Sequence, residues 1–459
     1  MKNPLVTTGI VKWLNVILLG AVIALAAEMV DAQETRGQSS IASLLGELDR
    51  HPENLDTRAH LARALSWSGA LLEALEQAER VLAIEPKHRQ ALRVRADAST
   101  WNGDFATALP DYRRYLQSYS DTDTLLAYGQ ALIFAGYFDQ ASEIASAIPT
   151  DVASAGSEVA IPAFKTRFEE SRLPALLLGR THYRDNDDSS RQENRVKLEG
   201  MYGNIDLSVL VESVNADSLQ KDSEARTLQL GAESRLTDWL IVNAAVGATE
   251  VSDIDSDLYA VARLSGAGRY EDLGYRLRLE REVFVETATI LSNRIRRNEL
   301  DLDLDYAISD RLRLEGEILQ THYSDDNVST EVEITPQVVL RLRDPGIRLG
   351  YRRTWLKFDR QSGGGYFDPD HLGADRLMLF TTIYRPRLRG DAELFVGRQS
   401  FTRFENQLNQ FVAGGSARLD VDLSPQLTLR TEVEGGNFDF RSPSGFTYWL
   451  ATLNLVVRL

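Results

Sequence analysis

Between Asn298 and Ile318 apolar and charged positions trade places at nearly every step. Leu300, Leu302, Leu304 and Tyr306 alternate with Asp301, Asp303 and Asp305, and Leu312 and Leu314 alternate with Arg313 and Glu315. A period of two predicts β-strands with opposite chemistry on their two faces. The same alternation recurs from Leu176 to Leu459, for example in "IDLSVLVESV", "YRLRLEREVFV" and "LTLRTEVEGG". It predicts about 16 strands, enough for a large closed barrel. Tight turns at Gly203-Asn204, Thr237-Asp238, Ser309-Asp310, Asp344-Pro345-Gly346, Arg389-Gly390 and Ser424-Pro425-Gln426 alternate with longer polar loops near 185–190, 215–225, 251–256, 285–295, 324–328, 359–374, 404–408 and 439–445. Short turns at one end and long loops at the other are the connection pattern of a membrane barrel. In the last strand Trp449, Ala451, Leu453, Leu455, Val457 and Leu459 share one face.

Either a protein core or lipid can cover such apolar faces. In a soluble sandwich the polar face looks outward and carries many Lys and Thr. Here Lys is scarce, and the polar positions hold Arg, Glu and Asp, which can neutralise one another across neighbouring strands. The pattern predicts a wet, charge-paired interior and a lipid-facing exterior.

Residues 50–150 follow a helical period and repeat themselves, within a repeat domain expected over 40–150. "ALSWSGALLEALEQAERVLAIEP", "ASTWNGDFATALPDYRRYLQSYS" and "ALIFAGYFDQASEIASAIP" align Trp67 with Trp101 and Phe134, Gly69 with Gly103 and Gly136, and Ala74 with Ala108 and Ala141. The spacing, 34 and then 33 residues, is that of a helix-turn-helix repeat. Each glycine is expected to end a first helix, each alanine to let the second helix approach closely, and the aromatic to pack within the repeat. These segments resemble the tetratricopeptide repeat family, whose inter-repeat proline is matched by Pro86 and Pro149 but not by Ser120. The resemblance implies a solenoid that binds a partner protein, with a rigid spacer as the alternative. Residues 151–173 read as a final helix plus linker, and the barrel is expected over 174–459.

At the N-terminus Lys2 and Lys12 precede an apolar run from Val16 to Ala27, and Val30-Asp31-Ala32 offers a small-x-small cleavage site. Residues 1–32 therefore read as a secretory signal peptide, with an uncleaved anchor as the alternative. The chain has no cysteine, so disulfides are excluded. Its net charge of −16 argues against a nucleic-acid partner. Enzyme chemistry finds little support. His182, His322 and His371 fall near the long-loop end, and Ser324 lies close to His322, but neither a G-x-S-x-G elbow nor an H-E-x-x-H helix is present. No catalytic residue, metal or cofactor is expected. Asp185-Asn186-Asp187-Asp188 offers clustered oxygens without the EF-hand order and reads as a polar loop. Gly363-Gly364-Gly365 lies in the longest loop and suits either a mobile gate or a surface loop.

A signal peptide, helical repeats and a barrel of this size together resemble the outer-membrane proteins of exopolysaccharide export: the porin for poly-N-acetylglucosamine, the outer-membrane subunit of cellulose synthase and the YaiO-type barrel. "HYRDNDDSSR" at 182–191 is similar to the aromatic-x-Asp-Ser-Asp-Gly element found there, with Asn and Asp replacing Ser and Gly. The resemblance implies a bacterial outer-membrane location, periplasmic repeats, and contact with lipid, polysaccharide and synthesis proteins of the periplasm or inner membrane. It also implies a passive pore lined by Arg278, Glu280, Asp301, Asp303, Asp305, Arg313, Glu315, Glu317, Arg430, Glu432 and Glu434. A general diffusion porin and a barrel-anchored scaffold for a biosynthetic enzyme remain alternatives.

Overall fold

The computed structural model describes residues 32–459 except 120, 149–156, 219–220, 253–254, 343, 386 and 438–446. The expected signal peptide therefore lies outside the described residues, apart from Ala32. Eight helices come first: α1 Ala32–Arg50, α2 Leu55–Ser68, α3 Leu71–Ile84, α4 Arg89–Asn102, α5 Phe105–Ser118, α6 Thr122–Phe134, α7 Phe138–Ala147 and α8 Ser157–Arg172. Asn54, His88 and Asp121 accept hydrogen bonds from the amides of Thr57, Ala91 and Thr124, so each first helix of a repeat carries its own N-cap. Gly69, Gly103 and Gly136 stand at φ 90°, 79° and 79°, the left-handed conformation in which glycine ends a helix without strain. Ala74, Ala108 and Ala141 are completely buried where paired helices meet. Trp67, Trp101 and Phe134 depart from the packing role expected of them: they are 58 %, 54 % and 51 % exposed. The rings buried among these helices are instead Tyr112, Tyr115 and Tyr128.

The strands are β1 Ala175–Asp185, β2 Ser190–Tyr202, β3 Ile205–Asp217, β4 Asp222–Thr237, β5 Leu240–Ser252, β6 Ser256–Tyr270, β7 Leu273–Val283, β8 Arg296–Ser309, β9 Leu312–Tyr323, β10 Val328–Arg341, β11 Gly346–Phe358, β12 His371–Arg385, β13 Leu388–Arg403, β14 Asn406–Ser424, β15 Leu427–Gly436 and β16 Tyr448–Arg458. Each pairs antiparallel with its neighbours in sequence, and β1 pairs with β16 from Ala175↔Arg458 to Asp185↔Tyr448, which closes the barrel. A five-residue helix, α9 Ala288–Ser292, lies within the β7–β8 connection.

The exterior answers the question of which medium covers the apolar face. Leu228, Leu230, Val246, Leu264, Leu277, Leu304, Leu377, Val396 and Leu453 all point outward and are between 40 % and 64 % exposed. On many strands this apolar series stops at a comparable level: after Leu178 comes Arg180, after Val196 Asn194, after Leu228 Arg226, after Leu279 Arg281 and after Val396 Arg398. Water does not tolerate a continuous apolar girdle of this kind, whereas hydrocarbon requires one. The chain is thus an α-helical repeat domain followed by an antiparallel transmembrane barrel of 16 strands. No described helix is long and apolar enough to cross a membrane.

The girdle supplies a test that separates lipid from water. Val246 is 62 % exposed at mid-strand. Val246→Arg should cost about 2–4 kcal/mol in bilayers, the penalty for arginine at the midplane of a lipid face. Chemical unfolding of the reconstituted protein would measure it. A water-facing barrel would show almost no change.

Candidate functional site: a charge-laddered lumen between two covers

Side chains alternate along each strand, so register assigns the inner face. Asp303 pairs with Glu317 and Asp305 with Glu315 across β8 and β9, while the outward Leu304 and Tyr306 stand opposite Gly316 and Leu314. By the same register Arg278 and Glu280 of β7, Asp301 of β8, Arg313 of β9, and Arg430, Glu432 and Glu434 of β15 stand on the inner face. There the charges pair. Arg278 meets Asp301 at 2.6 Å, Arg313 and Arg269 reach Asp305 at 2.7 and 2.8 Å, Arg276 lies 3.5 Å from Asp303, and Arg263 holds Glu280. Arg348 lies 3.3 Å from Glu315, and Arg430 meets Asp420 at 2.9 Å. Tyr448 donates to Glu434 at 2.5 Å.

A second network crosses the lumen wall from β10 to β13. Glu333 accepts from Arg376 at 2.5 Å, and Arg352 lies 3.6 Å from Glu333 and 3.0 Å from Glu393. Arg352, Arg376 and Glu393 belong to the site as fully as the residues expected from sequence, but the β10–β13 segments alternate less regularly and hide them. Asp301, Asp303 and Glu317 place carboxylate oxygens within 4.8 Å of one another, with Arg278 and Arg276 already beside the first two. Two cavities of about 400 and 610 Å³ occupy this interior. Arg269, Asp303, Asp305, Glu315 and Arg352 line the first, and Arg278, Glu280, Arg297, Arg376 and Glu393 are among those lining the second.

The end with the longer loops is not an open rim. The β7–β8 connection turns back so that Ala288 and Leu291 of α9 pack on Val214, Ala216 and Ala225, at the inner face of β3 and β4. The β11–β12 connection (359–370) folds onto the wall opposite. Tyr366 stacks on Tyr323 with centroids 4.4 Å apart, and Phe367 meets Phe401 edge-on at 5.1 Å. The two connections join where Asn293 donates to the carbonyls of Gly363 and Gly364 at 3.3 and 3.1 Å. Asn327, fully buried, donates to the Arg360 carbonyl and to the Tyr366 hydroxyl. The triglycine loop is therefore neither a surface loop nor an unanchored gate. The polar loop expected near 285–295 is an apolar plug, and the signal was present in Val283, Phe284, Val285, Ile290 and Leu291. The long loop expected near 404–408 is a tight turn through Phe404 and Glu405, both at positive φ.

At the short-turn end the solenoid rests on the barrel. Ala70 offers α3 no side-chain cap; instead Asp310, from the β8–β9 turn, accepts from the amides of Leu72 and Glu73 at 3.0 and 2.9 Å. A barrel turn thus caps a repeat helix. Tyr137 donates to Asp238 of the β4–β5 turn, Asn204 donates to Asp139 at 2.9 Å, and the Arg235 guanidinium lies 5.2 Å from the Phe105 ring. Burial and the Asp238 hydrogen bond push the Tyr137 hydroxyl up to about 12. Burial, and then the negative Asp310, push the Glu73 carboxyl upward.

Other candidates from sequence resolve into structural roles. Asp185 accepts from the amides of Asp187 and Ser189 at 2.9 and 3.0 Å and closes the β1–β2 hairpin. His182, His322 and His371 all sit on outward positions of their strands, so they do not converge on the lumen.

A helical-repeat domain set over the short-turn end of a charge-lined membrane barrel is the class of protein that fold and site define. No family model matches the chain, and no curated protein matches it. Among solved structures it is similar to a bacterial polysaccharide outer membrane secretin, at 12 % identity and TM-score 0.49 over 63 % of this chain and 99 % of that one. The outer membrane protein OpdK of Pseudomonas aeruginosa is similar at 13 % identity and TM-score 0.33, over 62 % and 98 % of the two chains. A tetratricopeptide repeat protein from Parabacteroides merdae matches 30 % of this chain and 55 % of its own length, at 22 % identity and TM-score 0.27.

The cap from Asp310 predicts a graded response. Asp310→Ala should destabilise the docked solenoid by about 0.5–2 kcal/mol, the usual cost of losing an N-cap. Limited proteolysis of the reconstituted protein should then cut the repeats faster. Glu73→Gln should act the other way at neutral pH, because the raised carboxyl pKa means that the ionised form disfavours the docked state. Docking should for the same reason tighten as pH falls through that raised value. Equal proteolysis rates for wild type and both variants would refute the cap.

Proposed function

We propose that the protein is an outer-membrane conduit for a hydroxyl-rich polymer, of the secreted-polysaccharide kind, with its repeats in the periplasm guiding the chain or its synthesis machinery to the entrance. The observation that carries this reading is the lumen itself: paired guanidinium and carboxylate groups run along the inner wall from the solenoid side towards the far mouth. Such pairs present donors and acceptors side by side, to which sugar hydroxyls can bond in turn. A tight binding site would stall a polymer, whereas a ladder of weak sites lets it slide. The outer membrane is the setting that accommodates a closed barrel with a girdle of this kind. No catalytic step is assigned to the chain.

A second reading rests on a specific observation. The inward-folded connections at the far mouth favour a plugged barrel that anchors the repeats as a scaffold. Planar-bilayer recording separates the two. The conduit reading expects rare openings in the wild type and a several-fold rise in open probability for Asn327→Ala with Tyr366→Ala, which removes the loop's anchor. A barrel that stays silent in both favours the scaffold.

The aspartates of β8 give a second electrical test. Changing Asp301, Asp303 and Asp305 together to Asn keeps shape and removes three negative charges from the inner wall. Cation preference of the loop-released channel should fall. Unchanged selectivity would remove these carboxylates from the path.

A further inference from the structure

We propose that the outer wall at the barrel seam binds one molecule of a lipid whose sugar headgroup carries two phosphates, a phosphorylated saccharolipid of the outer leaflet. This inference rests on the outer-membrane reading above. Arg180, His182 and Arg184 occupy successive outward positions of β1, and all three are exposed. Their register partners are Leu453, Ala451 and Trp449 on β16, and Asn194, Gln192 and Ser190 on β2. None of these is acidic. Two other outward arginines are paired, Arg353 with Asp375 and Arg226 with Glu224. The seam is therefore a place where outward cations face no carboxylate in register.

Two further features identify what would neutralise them. A groove of about 380 Å³ lies in the wall directly below, lined by the outward Leu178, Val196, Val211, Leu453 and Leu455, with Arg180 at its edge. Its largely apolar lining suits an acyl chain. The Trp449 ring lies tilted against His182, with centroids 5.1 Å apart, and tryptophan at that height marks the headgroup level. The groove thus meets hydrocarbon while the cations meet headgroups. Arg180 and Arg184 are four residues apart, about 13 Å at the rise of a strand. A disaccharide headgroup phosphorylated at both ends offers each guanidinium its own phosphate, whereas a single phosphate serves both only if the two side chains bend towards one another. Bidentate arginine–phosphate contacts then fix the headgroup in place.

The test uses the full chain reconstituted into neutral phosphatidylcholine vesicles doped with bisphosphorylated lipid A, its monophosphoryl form or phosphatidylglycerol. Flotation comes first, then native mass spectrometry of the detergent-extracted barrel. The expected result is one retained lipid A per barrel. Retention should fall at least tenfold for the monophosphoryl form, for phosphatidylglycerol and for the Arg180→Gln, Arg184→Gln double variant. Arg353→Gln, on β11 far around the wall and already paired with Asp375, should retain lipid like the wild type. Heat-modifiable migration of each variant reports that its barrel is closed. Equal retention by the double variant, or of phosphatidylglycerol, overturns the proposal while leaving the membrane reading intact. Failure to float with vesicles of any composition overturns the membrane reading, and this site with it.

Discussion

Everything in this molecule follows from the need to leave no backbone amide unpaired in hydrocarbon. A strand in lipid has no water to turn to, and each orphaned N–H or C=O costs several kcal/mol. An open sheet of this length would expose two such edges. Pairing Ala175–Asp185 with Tyr448–Arg458 removes both at once. Closure in turn fixes which side of each strand faces lipid, because the pleat alternates along a paired register, with shifts near the short turns at Arg235/Thr237, Ala307/Ser309, Val339/Arg341 and Asp422/Ser424. The apolar girdle and the charged lumen are therefore one decision, read from two sides.

Closure also sets the electrostatics of the interior. Sixteen strands enclose more space than their own side chains can fill. The wall must then be wetted, and charges become tolerable there that would be prohibitive in a packed core. They are tolerable in opposite-sign neighbours: Arg278 beside Asp301, Arg269 and Arg313 around Asp305, Arg352 and Arg376 around Glu333. Where the wall turns apolar, as at Leu356, Phe358, Leu372 and Phe401, the protein brings in its own apolar segment to cover it. The plug and the aromatic wall behind it need one another.

The alternation that reveals the strands also reveals their inner faces, since both come from the same period of two. Asp301, Asp303 and Asp305 are legible because their neighbours are uniformly apolar. Arg376 is not, for it sits among Leu377, Met378, Leu379 and Phe380, where apolar residues occupy both faces. Composition also concealed the two covers. Local sequence shows that residues 283–291 are apolar, but only the closed cylinder shows that the nearest surface for them is the inside of β3 and β4. The repeats were legible from Gly69, Gly103 and Gly136, whose backbone angles glycine alone adopts readily. The repeated aromatics were misleading. Recurrence at Trp67, Trp101 and Phe134 marks a shared place in the repeat, and that place is on the surface.

One contact ties the two halves of the chain in time as well as in space. The amides of Leu72 and Glu73 wait for an acceptor that lies 238 and 237 residues further along the sequence. During synthesis α3 exists long before the β8–β9 turn does, and its first turn has only water to satisfy it. Once the turn is in place the same two amides become sheltered. They therefore form a natural timer: their solvent protection, read at a site outside the bilayer, dates the moment at which the barrel inside it has been built.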